Sequence, residues 1–119
     1  MLLGRFGEAA AAEYLRKKGC RILGMNYRTR LGEIDVIAAD RNYILFVEVK
    51  LRKNAAFAEA REFVTYSKRR HIAAAAEQWL QINPQKLQPR FDVIEVYAPE
   101  GAATAHTEIH HWENAFTLD

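Results

Sequence analysis

The chain has 119 residues, which fits a single domain over 1–119 and leaves little room for a second one. Hydrophobic residues make up 50% and charged residues 27% of the chain, a balance that argues against wholesale disorder. The single cysteine, Cys20, excludes an intramolecular disulfide and a cysteine zinc cluster, and indicates a reducing compartment. No apolar run approaches the roughly 20 residues of a membrane span, and the first residues lack the apolar region of a signal peptide. We therefore expect a cytoplasmic protein with no membrane partner.

The net charge of +2 hides an asymmetry along the chain. Residues 1–70 carry 15 basic and 8 acidic side chains, whereas residues 71–119 carry 2 basic and 7 acidic ones. The first part is therefore positive by 7 and the second part negative by 5. Taken alone, the net charge argues weakly against a nucleic-acid partner. The division between the two parts, however, favours a polyanionic partner.

One helix and three strands are predicted in the first half of the chain. Residues 5–18 are rich in Ala, Leu, Glu and Lys, and they predict a helix that ends at Gly19. Apolar, β-branched and aromatic side chains then predict strands over residues 20–27, 32–39 and 43–50. Because the turn-like link 40–42 is short, the last two of these strands are expected to form an antiparallel hairpin.

The second half of the chain predicts one helix and two strands. Residues 55–63 suit either a helical turn or a mobile loop, and this alternative stays open. Residues 67–82 repeat apolar side chains at helical spacing, with Thr65 or Ser67 as the cap. Further strands are predicted over residues 90–97 and 106–112. The order α-β-β-β-α-β-β predicts an α/β fold, with a mixed central sheet of about five strands flanked by helices.

The predicted hairpin carries the strongest chemical signal. Side chains alternate along a strand, so Glu48 and Lys50 project from one face. If the hairpin loop has an even number of residues and no bulge intervenes, Asp35 of the preceding strand shares that face. Two carboxylates and a lysine are costly to bury without partners, and a divalent cation would relieve that cost. A lysine placed two residues beyond a metal carboxylate can hold a water or stabilise charge developing on phosphorus.

The first predicted helix adds a third carboxylate. Glu8 shares a helix face with the small and apolar Ala11, Ala12 and Leu15, a face expected to pack on the sheet. From there Glu8 can reach the same site. Less specific interpretations are also open: a salt-bridged Glu48 and Lys50 on a solvated sheet face, and a helix-edge charge at Glu8.

Basic side chains flank the candidate metal site and are predicted to bind nucleic acid through its phosphates. The predicted contacts are Arg28, Arg30, Arg52, Lys53, Lys68 and Arg69. Ser67-Lys68 at a helix start can also bind a phosphate through backbone amides. The alternative is a solvated basic face. No pattern in the chain is typical of base reading, so recognition by shape is expected.

Histidines offer a different metal interpretation near the end of the chain. His106, Glu108 and His110 share one face of the last predicted strand, which is compatible with zinc. We favour a role without metal, because a lone edge strand gives no converging geometry. His71, at the start of the second helix, is expected to be a packing or surface residue.

Four short motifs occur in order along nearly the whole chain. They are GEAAAAEYL at 7–15, GEIDVIA at 32–38, FVEVKLR at 46–52 and RFDVI at 90–94. This order, continued to residues 114–116, resembles the YraN-like bacterial family. That family is similar to the PD-(D/E)xK nucleases of the restriction-endonuclease-like superfamily and is related to Holliday-junction resolvases.

The resemblance implies a restriction-endonuclease-like core and assigns roles to the same residues. Asp35 falls at the metal-binding aspartate of the superfamily, although Ile34 stands where a proline is named in the motif. Glu48 and Lys50 fall at the (D/E)xK pair, and Glu8 at the acidic residue of the first helix. Phe57-Ala58 departs from the family, where a glycine is common after the aromatic residue.

The resemblance also implies an activity, a cofactor and partners. We expect phosphodiester hydrolysis with Mg²⁺ or Mn²⁺ held by Asp35, Glu48 and Glu8, and with Lys50 acting on the water or the transition state. The expected partner is structured nucleic acid, with branched DNA favoured over RNA. A homodimer is compatible with this, because a junction presents two symmetric cuts. The alternatives are a non-catalytic nucleic-acid-binding module of the same fold and a structural protein whose carboxylates only form salt bridges.

Overall fold

The computed structural model of the protein describes residues 2–53 and 64–117. The undecided segment 55–63, with its Phe57-Ala58 position, lies outside the described residues. All predicted helices and strands are present, and their ends differ from the predicted ones by three residues or fewer. The elements are α1 (Leu2–Lys17), β1 (Arg21–Arg28), β2 (Glu33–Ala39), β3 (Tyr43–Arg52), α2 (Tyr66–Ile82), β4 (Gln88–Tyr97), a 3₁₀ turn (Gly101–Ala103) and β5 (Glu108–Trp112).

The five strands form one mixed sheet in the order β1-β2-β3-β4-β5. The β3–β4 pair is parallel and the other three pairs are antiparallel. The chain between the parallel strands includes α2, which packs on one face of the sheet, while α1 packs on the other. This α/β arrangement confirms the predicted fold class and is compatible with a restriction-endonuclease-like core. In the two described ranges, neither helix is long and apolar enough to cross a membrane.

Each helix covers its own hydrophobic core. Beneath α2, the rings of Phe46 and Trp79 meet edge to face, with their centres 5.9 Å apart. Beneath α1, Leu15 packs on Leu45 and Ile94. Burial of apolar surface on both faces holds the central strands in place. The buried charged side chains of the described residues are the exceptions: Asp35, Glu48, Asp92 and Glu95.

The ends of the helices follow local sequence signals. Helix α1 is followed by Gly19, whose φ of +95° lies in the left-handed region that favours glycine. Helix α2 begins after Thr65, whose hydroxyl accepts a hydrogen bond from the backbone N–H of Lys68 at 3.1 Å. Of the two predicted caps, Thr65 is therefore the one used.

The β2–β3 hairpin has the even loop on which the sequence argument depends. The Asp40 carboxylate accepts hydrogen bonds from the backbone N–H groups of Asn42 and Tyr43, both at 2.8 Å. The resulting two-residue loop pairs Ile37 with Phe46, so odd positions of β2 oppose even positions of β3. The predicted register is confirmed.

Regular alternation along β2 is interrupted at Asp35. Ile34 packs in the core beneath α2, whereas Val36, two residues further, packs in the core beneath α1. On the neighbouring β1, Asn26 lies between Met25 and Tyr27, and its φ of +51° is unusual for a residue other than glycine. Despite this interruption, Asp35 contacts Glu48 of β3, as the parity of the hairpin predicts.

The turn between β1 and β2 lies directly against α2. The Thr29 hydroxyl accepts hydrogen bonds from the backbone N–H groups of Leu31 and Gly32, each at 3.0 Å. A Cβ atom on Gly32 would lie 2.3 Å from the carbonyl oxygen of His71. Glycine is therefore required sterically, and the contact fixes the turn beside the first turns of α2.

We expect Gly32→Ala to lower the free energy of unfolding by about 1–3 kcal/mol, since the added methyl group must displace backbone. Gly24→Ala is the matched control, because its Cβ would meet Ile37 Cδ1 at an ordinary contact distance of 3.6 Å. Urea denaturation measures both. Equal losses in the two variants would mean that the approach of Gly32 to α2 is not a constraint.

Candidate functional site

The β2–β3 hairpin brings Asp35 and Glu48 into contact. Their exposed fractions are only 8% and 4%. One oxygen of Asp35, Oδ2, accepts a hydrogen bond from the backbone N–H of Val49 at 2.8 Å, which ties the side chain to β3. The two carboxyl groups also share a hydrogen bond. The two carboxylates predicted from the sequence therefore form one buried pair.

The pKa of Asp35 is strongly raised within this pair. Burial is the largest cause and the charge of Glu48 the second; together they raise the pKa of Asp35 to about 8, against the opposing effect of the Val49 N–H. Asp35 therefore holds its proton at pH 7. A carboxyl group this far from its ordinary pKa of 3.8 marks a candidate functional site.

Two lysines reach Glu48 from different elements. Lys50 Nζ lies 3.4 Å from Glu48 Oε2, and Lys68 Nζ lies 2.5 Å from the same oxygen. Burial lowers the pKa of Lys68, but its hydrogen bond to Glu48 and the nearby carboxylates outweigh burial and leave that pKa above its ordinary value. The site therefore combines two carboxyl groups with two ammonium groups.

Sequence reasoning placed Lys68 among the phosphate contacts and missed its entry into the carboxylate site. Lys68 belongs to the first turn of α2, which Thr65 caps. That turn reaches Glu48 because α2 lies on the crossover between the parallel strands β3 and β4. The parallel pairing is a long-range property, and the local pattern around Lys68 gave no sign of it.

Glu8 approaches the pair from α1 without joining it. Its charge contributes to the raised pKa of Asp35. Across the described ranges, however, no three side chains of His, Cys, Asp or Glu come together in a group that could bind one metal ion. The role of Glu8 as a metal ligand stays a prediction. In β5, His110 Nε2 lies 3.7 Å from Glu108 Oε1, and His106 precedes that strand.

The Asp35–Glu48 pair fits a divalent cation in its donor chemistry. Mg²⁺ prefers carboxylate oxygens, and it commonly binds through one or two protein carboxylates while waters and substrate phosphates complete its shell. Two buried carboxyl groups in contact, one of them still protonated at neutral pH, are an arrangement that such a cation relieves. A third protein carboxylate is not needed for this fit.

Arg52 is held differently from the other predicted phosphate contacts. Its Nε lies 3.4 Å from Oε2 of the buried Glu95, and its side chain is only 21% exposed. Glu95 also accepts hydrogen bonds from the Tyr97 hydroxyl at 2.9 Å and from Trp112 Nε1 at 2.8 Å. Sequence reasoning missed Glu95, which lies opposite Lys50 in the parallel register. Arg52 thus belongs to a buried network beside the site.

Of the remaining predicted phosphate contacts, Arg69 is half-buried and the others lie at the surface. Arg28 and Arg30 line a groove of about 410 Å³ between the β1–β2 turn and His71, and Lys68 lines an adjoining one of about 390 Å³. Arg28 also pairs with Glu33 at 3.1 Å. The other two predicted contacts are Lys53, which is exposed just after β3, and Arg69 on α2.

A second buried cluster lies on the α1 side of the sheet. The Asp92 carboxylate accepts two hydrogen bonds from Arg90, at 2.9 and 2.8 Å, and one from the backbone N–H of Asn114 at 2.9 Å. His111 Nε2 lies 2.7 Å from the same carboxylate, and His111 Nδ1 lies 3.0 Å from the Tyr14 hydroxyl. Burial alone would raise the pKa of Asp92, but these partners have the larger opposite effect and bring that pKa below its ordinary value. The cluster links β4 and β5 to α1, a structural role.

Comparisons with known proteins give one consistent result. The model of the uncharacterised protein family UPF0102 matches residues 7–96. A UPF0102 protein of Alkaliphilus oremlandii is 46% identical over 117 residues, which cover 96% of this chain and 97% of that protein. One of Syntrophotalea carbinolica is 42% identical, with 98% and 93% covered, and one of Rhodococcus opacus is 38% identical, with 98% and 97% covered.

The raised pKa of Asp35 predicts that the free energy of unfolding of the metal-free protein, kept so with a chelator, depends on pH. Folding retains a proton that the unfolded chain releases near pH 4, so the contribution of Asp35 to stability is greatest below that pH and falls as pH rises toward about 8. One retained proton corresponds to about 1.4 kcal/mol per pH unit. Urea denaturation from pH 5 to 8 measures this slope.

Asp35→Asn should remove that slope and raise the stability of the metal-free protein at pH 8. Glu13→Gln, at an exposed position on α1, is the control and should keep the wild-type slope. If the free energy of unfolding changed with pH equally in the wild type and in Asp35→Asn, the assignment of a retained proton to the buried pair would be contradicted.

Proposed function

We propose that this chain, which belongs to the uncharacterised protein family UPF0102 of the restriction-endonuclease-like superfamily, is a metal-dependent nuclease-like protein acting on structured nucleic acid. The observation that supports this is the buried contact of Asp35 with Glu48, next to Lys50 and Lys68. Carboxylates that can hold a cation, beside ammonium groups that can bind an anion, suit hydrolysis of a phosphodiester.

Asp35 and Glu48 would hold Mg²⁺ or Mn²⁺, with Glu8 approaching from α1. When bound, the cation supplies neutralisation of phosphate charge and a lower pKa for an attacking water. On acting as a ligand, Asp35 would release its proton to solvent, and its pKa of about 8 keeps the free-energy cost of that release small near neutral pH. The Val49 N–H keeps the Asp35 carboxylate oriented throughout.

The two lysines contribute donors on the side of Glu48. An ammonium group has three N–H donors, so a lysine that contacts Glu48 can also donate to a phosphate oxygen. Lys50 stands on the same strand as Glu48 and is the candidate for stabilising charge on the phosphorus centre. Lys68 brings a second positive charge from α2.

Nucleic acid is the substrate class that the surrounding charge favours. Arg28, at the end of β1, and Arg30, in the following turn, line one groove, and Gly32 brings this turn against α2 next to Lys68. Such contacts bind phosphates without reading sequence. Branched DNA is preferred within this class because of the resemblance to Holliday-junction resolvases.

A second candidate is a non-catalytic nucleic-acid-binding module with the same site. Two observations favour it. Glu48, the predicted metal ligand, is ion-paired with both Lys50 and Lys68. In addition, the part of the chain that the structure describes brings only Asp35 and Glu48 together, without a third metal-binding side chain.

A substrate panel separates the two candidates. Duplex, four-way junction, flap and single-stranded DNA are incubated with the protein in Mn²⁺ and in EDTA. We expect cleavage of at least one branched substrate in Mn²⁺ only, and a loss of about a hundredfold or more in rate for Asp35→Ala and for Lys50→Ala. Lys86→Ala, which removes an exposed lysine outside the site, is the matched control and should cleave at the wild-type rate.

Tight binding without cleavage of any substrate would support the non-catalytic module. Cleavage that persists at the wild-type rate in Asp35→Ala would show that the reaction takes place elsewhere or comes from a contaminant.

A further inference from the structure

Two large apolar side chains stand exposed beside the candidate site. Leu31 on the β1–β2 turn is 53% exposed, and Tyr66 at the start of α2 is 58% exposed. Both line one cavity of about 480 Å³, together with Arg70 and His71. Neither side chain is needed to fill a core, and an apolar patch on a polar surface is typical of a binding site.

The ring of Tyr66 is surrounded by positive charge. The guanidinium carbons of Arg69 and Arg70 each lie 5.9 Å from the centre of the ring, within the range of a cation–π interaction. These contacts restrain the ring while most of it remains open to solvent. An aromatic face combined with arginines is the pairing that binds single-stranded nucleic acid, through base stacking and phosphate contacts.

The cavity at Tyr66 leads toward the carboxylate pair. His71 lines it and also the two adjoining grooves, one with Arg28 and Arg30 and the other with Lys68. Lys68 in turn contacts Glu48. A chain of phosphates can therefore follow basic side chains from the Tyr66 cavity to the site.

We infer that the Tyr66 cavity is a base-stacking site for an unpaired nucleotide of the substrate strand. This inference rests on the proposed function and adds the substrate class: a single-stranded segment, such as an arm or flap next to a branch. Both faces of a base within a duplex are covered by its neighbours, so only an unstacked base can lie on the ring. Leu31 provides apolar contact within the same cavity, and the arginines at the ring, Arg69 and Arg70, supply positive charge for the flanking phosphates.

Fluorescence anisotropy in EDTA tests this without cleavage. A labelled, non-self-complementary single strand and a blunt duplex of the same sequence are titrated with the full chain. We expect Tyr66→Ala to weaken binding of the single strand about tenfold and to leave the duplex within twofold of wild type. Tyr66→Phe keeps the aromatic face and should retain affinity. Ile82→Ala, at a 66% exposed apolar position at the other end of α2, should change neither affinity.

The outcomes distinguish this inference from the proposed function. If the wild type binds both oligonucleotides and Tyr66→Ala changes neither affinity, or lowers both equally, the stacking site is wrong while the proposed function stands. A wild-type protein that binds neither oligonucleotide contradicts the stacking site, and the proposed function is then decided by the branched substrates of the cleavage panel.

Discussion

The contact between two buried carboxyl groups, Asp35 and Glu48, is the constraint on which the rest of the site depends. Two negative charges at this range cannot both persist in surroundings from which water is excluded. The protein meets the constraint in two ways: Asp35 keeps its proton to about pH 8, and Lys50 and Lys68 pair with Glu48. An apolar pair of similar volume would cost less free energy, so the arrangement points to function rather than to stability.

The side chains of this site come from separate helices and strands of the fold. The two-residue loop of the hairpin sets the register of β2 and β3, and the backbone N–H of Val49 orients Asp35. The crossover after β3 places the first turn of α2 over the strand end, where Lys68 reaches Glu48. The close approach of Gly32 to His71 fixes the basic β1–β2 turn beside that helix. Carboxylates, lysines and arginines thus meet at one end of the sheet.

Local patterns predicted the parts of the structure that local physics decides. The helix cap at Thr65, the left-handed Gly19 and the parity of the hairpin all follow from a few neighbouring residues. The interrupted alternation at Asp35 was not predicted, and the β2 sequence carries no sign of the positive φ at Asn26 on the adjacent strand. The contact of Lys68 with Glu48 and the position of Glu95 beside the site were missed for a related reason. Their positions depend on the parallel pairing of β3 with β4, which no short segment of the sequence encodes.

Proton release on cation binding tests the central claim most directly. Titration calorimetry of the metal-free protein with Mn²⁺ at pH 7, in two buffers of different ionisation enthalpy, gives the number of protons released per ion bound. Because Asp35 is protonated at this pH and must ionise to act as a ligand, we predict close to one proton per Mn²⁺, and none for Asp35→Asn. Binding without proton release, or no binding of Mn²⁺ to the wild type, would contradict the assignment of Asp35 and Glu48 as a cation site.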